Sequence, residues 1–111
     1  LGITLLKKFK LSDFKGGWFI GDFEPSLLQT KFFEANVRTH PKGEKWDAHY
    51  HKYTHEFNVL VSGKMKICGQ LVEAGEIFVI PPNEIADPEF LEDCTVVCIK
   101  TPSIPEDKYI V

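Results

Sequence analysis

Short apolar stretches recur along the chain, each closed by glycine, proline or asparagine: GGWFIGDF, TKFFEANVRT, HEFNVLVSG, KMKICG, QLVEAG, EIFVIPPN and TVVCIKTP. Several alternate apolar and polar side chains with the period of two that turns one face of a strand toward a core. Regular punctuation by turn residues then predicts an all-β sandwich or barrel. Only PSLLQTKFFEA competes as a helix, yet KFFEANVRT alternates too, and Asn36, Val37 and Thr39 are weak helix formers. A single helical turn over Ser26 to Gln29 is the most this stretch predicts.

In KFFEANVRTH the alternation puts Glu34, Asn36, Arg38 and His40 on one face, and Phe33, Ala35, Val37 and Thr39 on the other. Solvent is the simpler destination for the polar face. The alternative is a polar cavity, with Arg38 and His40 at its mouth and an arginine fork placed to hold a carboxylate or phosphate. Ser62-Gly63 reads as a tight hairpin, Cys68-Gly69-Gln70 as a second, and Pro81-Pro82-Asn83 ends the preceding strand because neither proline donates a backbone hydrogen bond. The prolines of the tail TPSIPEDKYIV exclude a central strand, so it is expected along the outside of a barrel or across a partner.

Composition narrows the partners. A chain of 111 residues suits one domain, over 1–111. A net charge of −3, a pI near 5.8 and scattered lysines give no footprint for nucleic acid. The longest apolar runs, such as Ile77 to Ile80, fall far short of a membrane span, and no secretory h-region precedes a small-residue cleavage site, so a cytoplasmic location is expected. Cys68, Cys94 and Cys98 follow no zinc-ribbon spacing and fit a reducing compartment as half-buried thiols; Cys94 and Cys98, four apart, share a strand face. There is no Ser-His-Asp order, phosphate-cradling glycine loop or C-x-x-C on which hydrolase, nucleotide or thioredoxin chemistry could stand.

The chemistry concentrates in WDAHYHKYTHE, residues 46–56, which holds three of the four histidines. On a strand His49 and His51 share a face, and a strand returning antiparallel after the short loop KYT would bring Glu56 beside them. Two imidazoles and a carboxylate form the set that binds iron(II) and suits zinc or manganese, with positions left open for a substrate. His55 is the lesser alternative to Glu56, since its neighbour in sequence takes the opposite face. Asn58 shares the face of Glu56 and is a candidate ligand-binding amide; Trp46 and Tyr50 are candidates to stack on a ring, or to pack the gap between sheets.

The spacing Gly43, five residues, His49-x-His51, four residues, Glu56, six residues, Gly63 resembles the first motif of the cupin superfamily, and Gly75, five residues, Pro81 resembles the start of the second. The two motifs occupy 43–63 and 75–86. The resemblance implies a small RmlC-like jelly-roll barrel of two facing antiparallel sheets. It also implies one divalent ion (Fe, Zn, Mn or Ni) held by His49, His51 and Glu56, and a homodimer. The second motif departs from the family: Asn83 replaces a glycine, which asparagine does well in a left-handed turn, but Ala86 stands where a further histidine ligand is usual. Asp87, His55 or water would have to complete the shell. The resemblance supports a metal-dependent enzyme acting on a small polar molecule, such as a sugar, by isomerase, epimerase, dioxygenase or lyase chemistry. It also leaves open a non-catalytic binding or sensing module, and a metal-free enzyme with His49 or His51 as base and Arg38 as anion anchor.

Overall fold

The structure, a computed structural model, describes Gly2 and residues 5–111. The strands are β1 (Trp18–Ile20), β2 (Glu34–His40), β3 (His49–Tyr50), β4 (His55–Ser62), β5 (Lys64–Ile67), β6 (Gln70–Glu73), β7 (Ile77–Ile80), β8 (Glu89–Phe90), β9 (Cys94–Thr101) and β10 (Tyr109–Ile110). One layer is a five-stranded sheet in the order β1-β2-β9-β4-β7, antiparallel throughout. Facing it are the three-stranded sheet β6-β5-β8 and the pair β10-β3, joined by bridges from Lys45 to Glu89 and from His49 to Ala86. This is the jelly-roll arrangement of two facing antiparallel layers.

Strict alternation builds the interior. Along β9, Cys94, Val96, Cys98 and Lys100 are buried while the residues between them are partly exposed. Leu60, Ile80, Cys94 and Val96 of the large sheet pack against Met65, Ile67, Val72, Ala86 and Phe90 from the other layer. Each large apolar side chain buried in such a core contributes roughly 1.5–3 kcal/mol. Farther along β4 and β9 the inward positions turn polar, with Asn58, Glu56 and Lys100, and there the layers enclose a cavity rather than a packed core.

The turns divide into confirmed and corrected expectations. Cys68 and Gly69, with φ of 51° and 72°, form the two-residue turn that registers Ile67 against Gln70. Asn83 takes the left-handed conformation at φ 69°, and its N–H donates to the carbonyl of His51 at 2.7 Å. Ser62-Gly63 is not a hairpin: β4 pairs with β7 and β9, and β5 with β6 and β8, so the chain changes layers at Gly63. A glycine signals positive φ, not which strand comes next. Ser26 to Gln29 forms no helical turn either, because the Ser26 hydroxyl accepts from the Gly21 N–H and donates to the Leu28 carbonyl, holding the segment extended beside β1.

Gly63 gives a stability prediction. At φ +94° an added Cβ would lie 2.4 Å from the Asp93 carbonyl oxygen and 2.6 Å from Cys94 Sγ. Gly63→Ala is therefore expected to cost about 3 kcal/mol, combining backbone strain and overpacking, measured as a lowered urea midpoint with unchanged m-value. All three cysteines are free, Cys68 exposed and the other two buried. Among the described residues no helix is long and apolar enough to cross a membrane.

Candidate functional site

The polar face of β2 meets the cavity rather than solvent. Glu34, Asn36, Arg38 and His40 all line a space of about 390 Å³ between the layers. Register makes their neighbours. Glu34 lies opposite Lys100, and Lys100 opposite Glu56, so an acid-base-acid row crosses the sheet. Lys100 Nζ stands 3.3 Å from Glu34 Oε1, and the Ser103 hydroxyl donates to Glu34 Oε2 at 2.8 Å. Asn36, Cys98 and Asn58 form the next row.

The histidines come from the facing layer. Alternation points His49 and His51 inward and Tyr50 outward, where Tyr50 stacks on Tyr109 at 5.4 Å; it does not line the cavity, contrary to its assignment as a ligand-binding residue. β3 pairs with β10, not with β4, so Glu56 reaches the histidines across the gap between layers instead of from an adjacent strand. His51 Nε2 lies 3.1 Å from Glu56 Oε2, and the two histidine ring centres are 5.6 Å apart. His55 is exposed and stacks on Phe57, and Asp87 accepts the N–H of Cys68, so neither joins the set.

Backbone carbonyls orient both imidazoles. His49 Nδ1 donates to the Asp47 carbonyl at 2.9 Å, and His51 Nδ1 donates to the Asp107 carbonyl. Because a carbonyl can only accept, both Nδ1 atoms carry their protons and both Nε2 atoms are turned toward the cavity. Asp107 is 2% exposed, and its carboxylate accepts the N–H groups of Lys52, Tyr53 and Thr54, at 2.8, 2.9 and 3.1 Å, pinning the loop after the histidines. No local signal marks this aspartate, whose partners lie more than 50 residues away; the tail expected on the outside is built into the site.

Electrostatics prepares the donors. Burial pushes the Glu56 carboxyl up, but the hydrogen bond from His51, the charge of Lys100 and the Asn58 amide outweigh it and hold it below the ordinary range. Burial, aided by the charges of Lys108 and His51, lowers His49 and keeps it neutral at pH 7. Burial and the nearby charges of Lys100 and Arg38 also lower Lys108. The Cys98 thiol is pushed far up by burial and by Glu56, so it stays protonated. His40 is buried, stacked flat on Phe90 at 4.0 Å, with Nδ1 bonded to the Glu44 carboxylate, which also accepts the Trp46 indole N–H at 2.8 Å.

This donor set fits a divalent cation in its chemistry. With His51 Nδ1 given to the Asp107 carbonyl, Nε2 is the ring nitrogen that faces Glu56, and its 3.1 Å approach to the carboxylate is one that a shared proton or a cation can bridge. The set is not already gathered around one point: among the described residues no three His, Cys, Asp or Glu side chains form a ready coordination group. An ion would replace the His51–Glu56 hydrogen bond. Ala86, whose N–H and carbonyl pair with those of His49, supplies no donor side chain from beside it.

No protein-family model and no curated relative matches the sequence. Solved structures do. A conserved protein with a double-stranded β-helix domain from Klebsiella pneumoniae superposes with a TM-score of 0.70 at 16% identity, over 100% of this chain and 96% of that one. An RmlC-like cupin from Methanocaldococcus jannaschii gives 0.58 at 20% identity, over 67% of this chain and 73% of that chain. A DMSP lyase from Ruegeria pomeroyi gives 0.67 at 14%, over 85% of this chain and 49% of the other. The chain thus has the cupin fold, a double-stranded β-helix.

Proposed function

We propose that this cupin-fold chain binds one divalent metal ion through His49, His51 and Glu56 and acts on a small polar molecule in the adjoining cavity. The observation that carries the reading is the pair of Nδ1 atoms bonded to backbone carbonyls, which leaves both Nε2 atoms free as donors to a metal, that of His51 3.1 Å from the Glu56 carboxylate. A bound divalent ion supplies polarisation of a substrate carbonyl or hydroxyl. The chain's own groups do the rest. Asn58 donates to Glu56 Oε1 at 3.3 Å and fixes the carboxylate plane, while Glu44 orients His40 as a group able to take or return a proton inside the cavity.

Isothermal titration of dialysed protein with Zn²⁺, Mn²⁺, Ni²⁺ and, without oxygen, Fe²⁺ tests the reading. One site is expected, weakened at least about 100-fold in His49→Ala and in Glu56→Gln. The His51–Glu56 hydrogen bond favours the alternative, a metal-free enzyme or binding module. Titrations that show no site in the wild type would establish that alternative.

The reading includes a homodimer through the outer face of the large sheet. Phe57, Val61, Ile77 and Val79 are exposed there beside the half-buried Val59, Val97 and Ile99, and among the described residues β7 ends the sheet with one edge unpaired. A second copy of the same chain supplies a matching face under two-fold symmetry. Light scattering should give twice the chain mass, reverting to the monomer in Ile77→Asp; a monomer mass in the wild type at high concentration would contradict it.

A further inference from the structure

Apart from the exposed Lys15, Arg38 and Lys108 are the two cations without a carboxylate partner among the described residues that line the cavity, and they meet at one aromatic ring. Lys100 is committed to Glu34 at 3.3 Å, whereas among the described residues Arg38 and Lys108 have no carboxylate within ion-pair distance. Both lie instead over the Trp46 indole, the Arg38 guanidinium carbon 5.0 Å and Lys108 Nζ 4.6 Å from the ring centre. They reach it from distant parts of the sequence, one on the inner face of β2 and one in the tail just beyond Asp107. The fold, not the local sequence, brings them together.

Two like charges over one ring repel, and the π face offsets only part of that repulsion. The chain as a whole carries a charge of −3, so this positive pair is a local feature of the cavity rather than a general one. The Trp46 ring is also 6.1 Å from that of His49, which puts the pair next to the candidate metal ligands. His40, expected with Arg38 at the cavity mouth, does line the cavity, but its Nδ1 is tied to Glu44. Lys108 is the cation that shares the Trp46 ring with Arg38.

We propose that Arg38 and Lys108 form an oxyanion subsite over Trp46, so that the molecule bound in the cavity is a small organic acid or phosphate ester whose anionic group they hold. The guanidinium fork offers paired donors to a carboxylate or phosphate, and the ammonium adds a third direction. The indole face supports the carbon adjoining the anionic group. The rest of the ligand then extends toward His49 and Glu56. This inference rests on the proposed function only for what happens at that far end.

The test uses the intrinsic fluorescence of the two tryptophans, Trp18 and Trp46, both of which line the cavity. Wild-type protein, metal-free and Zn²⁺-loaded, is titrated with succinate, inorganic phosphate and uncharged glycerol. Saturable binding of succinate or phosphate but not glycerol is expected, weakened at least tenfold in Arg38→Gln and in Lys108→Gln, partly kept in Arg38→Lys, and unchanged in the control Lys52→Gln outside the cavity. The tighter of the two anions identifies carboxylate or phosphate as the natural group. Circular dichroism melts confirm that each variant is folded.

If neither anion binds the wild type, or both glutamine variants bind as the wild type does, the subsite is refuted. Zinc affinity measured on the same samples keeps the two proposals apart. Metal without anion binding removes this inference alone, and anion binding to a protein that takes up no metal removes the metal reading alone.

Discussion

Asp107→Ala is expected to lower stability by about 4 kcal/mol, the largest single effect in the molecule. Three backbone N–H groups, of Lys52, Tyr53 and Thr54, would lose the buried carboxylate they share, and an unmet buried donor costs about 1–3 kcal/mol. Water entering the vacated volume recovers part of that sum, hence the intermediate figure. Asp107→Asn should lose less, because the amide oxygen can still accept from Tyr53 and Thr54 while its NH2 group is turned toward the Lys52 N–H. Urea denaturation at pH 7 measures both.

The same residue predicts a pH dependence with a definite sign. Burial raises the Asp107 carboxyl, but the three N–H groups and nearby His51 outweigh it and hold it below the ordinary value. A carboxyl depressed in the folded state stabilises fully above its unfolded value of about 3.9 and loses that contribution as pH falls through the folded one. The gap between wild type and Asp107→Ala should therefore be constant from pH 5 to 7 and shrink below about 4. A gap that widened on acidification would contradict the assignment.

Ala86→His is expected to tighten metal binding by about 100-fold, the order by which changes in ligand support alter such sites. Ala86 is 2% exposed and lines the cavity, and its N–H and carbonyl exchange hydrogen bonds of 2.8 and 3.0 Å with His49. In such a pair the two side chains stand on the same face, so a histidine at position 86 would lie beside His49 and reach the same space. Titration with Zn²⁺ in competition with a chelator of known affinity measures the gain. Affinity equal to the wild type would mean that the ion, if bound, sits away from His49.

How far the sequence carried can be followed residue by residue. Alternation correctly divided β2 into two faces, but a period of two says nothing about what lies beyond each face, so the choice of solvent for Glu34, Asn36, Arg38 and His40 had no physical basis. Motif spacing brought His49, His51 and Glu56 together although the strand pairing assumed for them was wrong, since spacing registers a convergence without telling whether it occurs within a sheet or between two. The outward turn of Tyr50 was legible, because the residue between two inward histidines must take the other face. Asp107 and Lys108 were not: their partners are set by the docking of the tail against β3, a long-range event that no local pattern records. Gly63 shows the same limit, its positive φ readable and its change of layer not.

The central claim, that His49, His51 and Glu56 share one ion, is tested most directly by anomalous diffraction from crystals grown with Zn²⁺, collected on both sides of the zinc absorption edge. A single anomalous peak bounded by the two Nε2 atoms and the Glu56 carboxylate, with the His51–Glu56 hydrogen bond opened, is the predicted result. A His51–Glu56 pair still closed at full zinc loading, with no peak beside it, would contradict it.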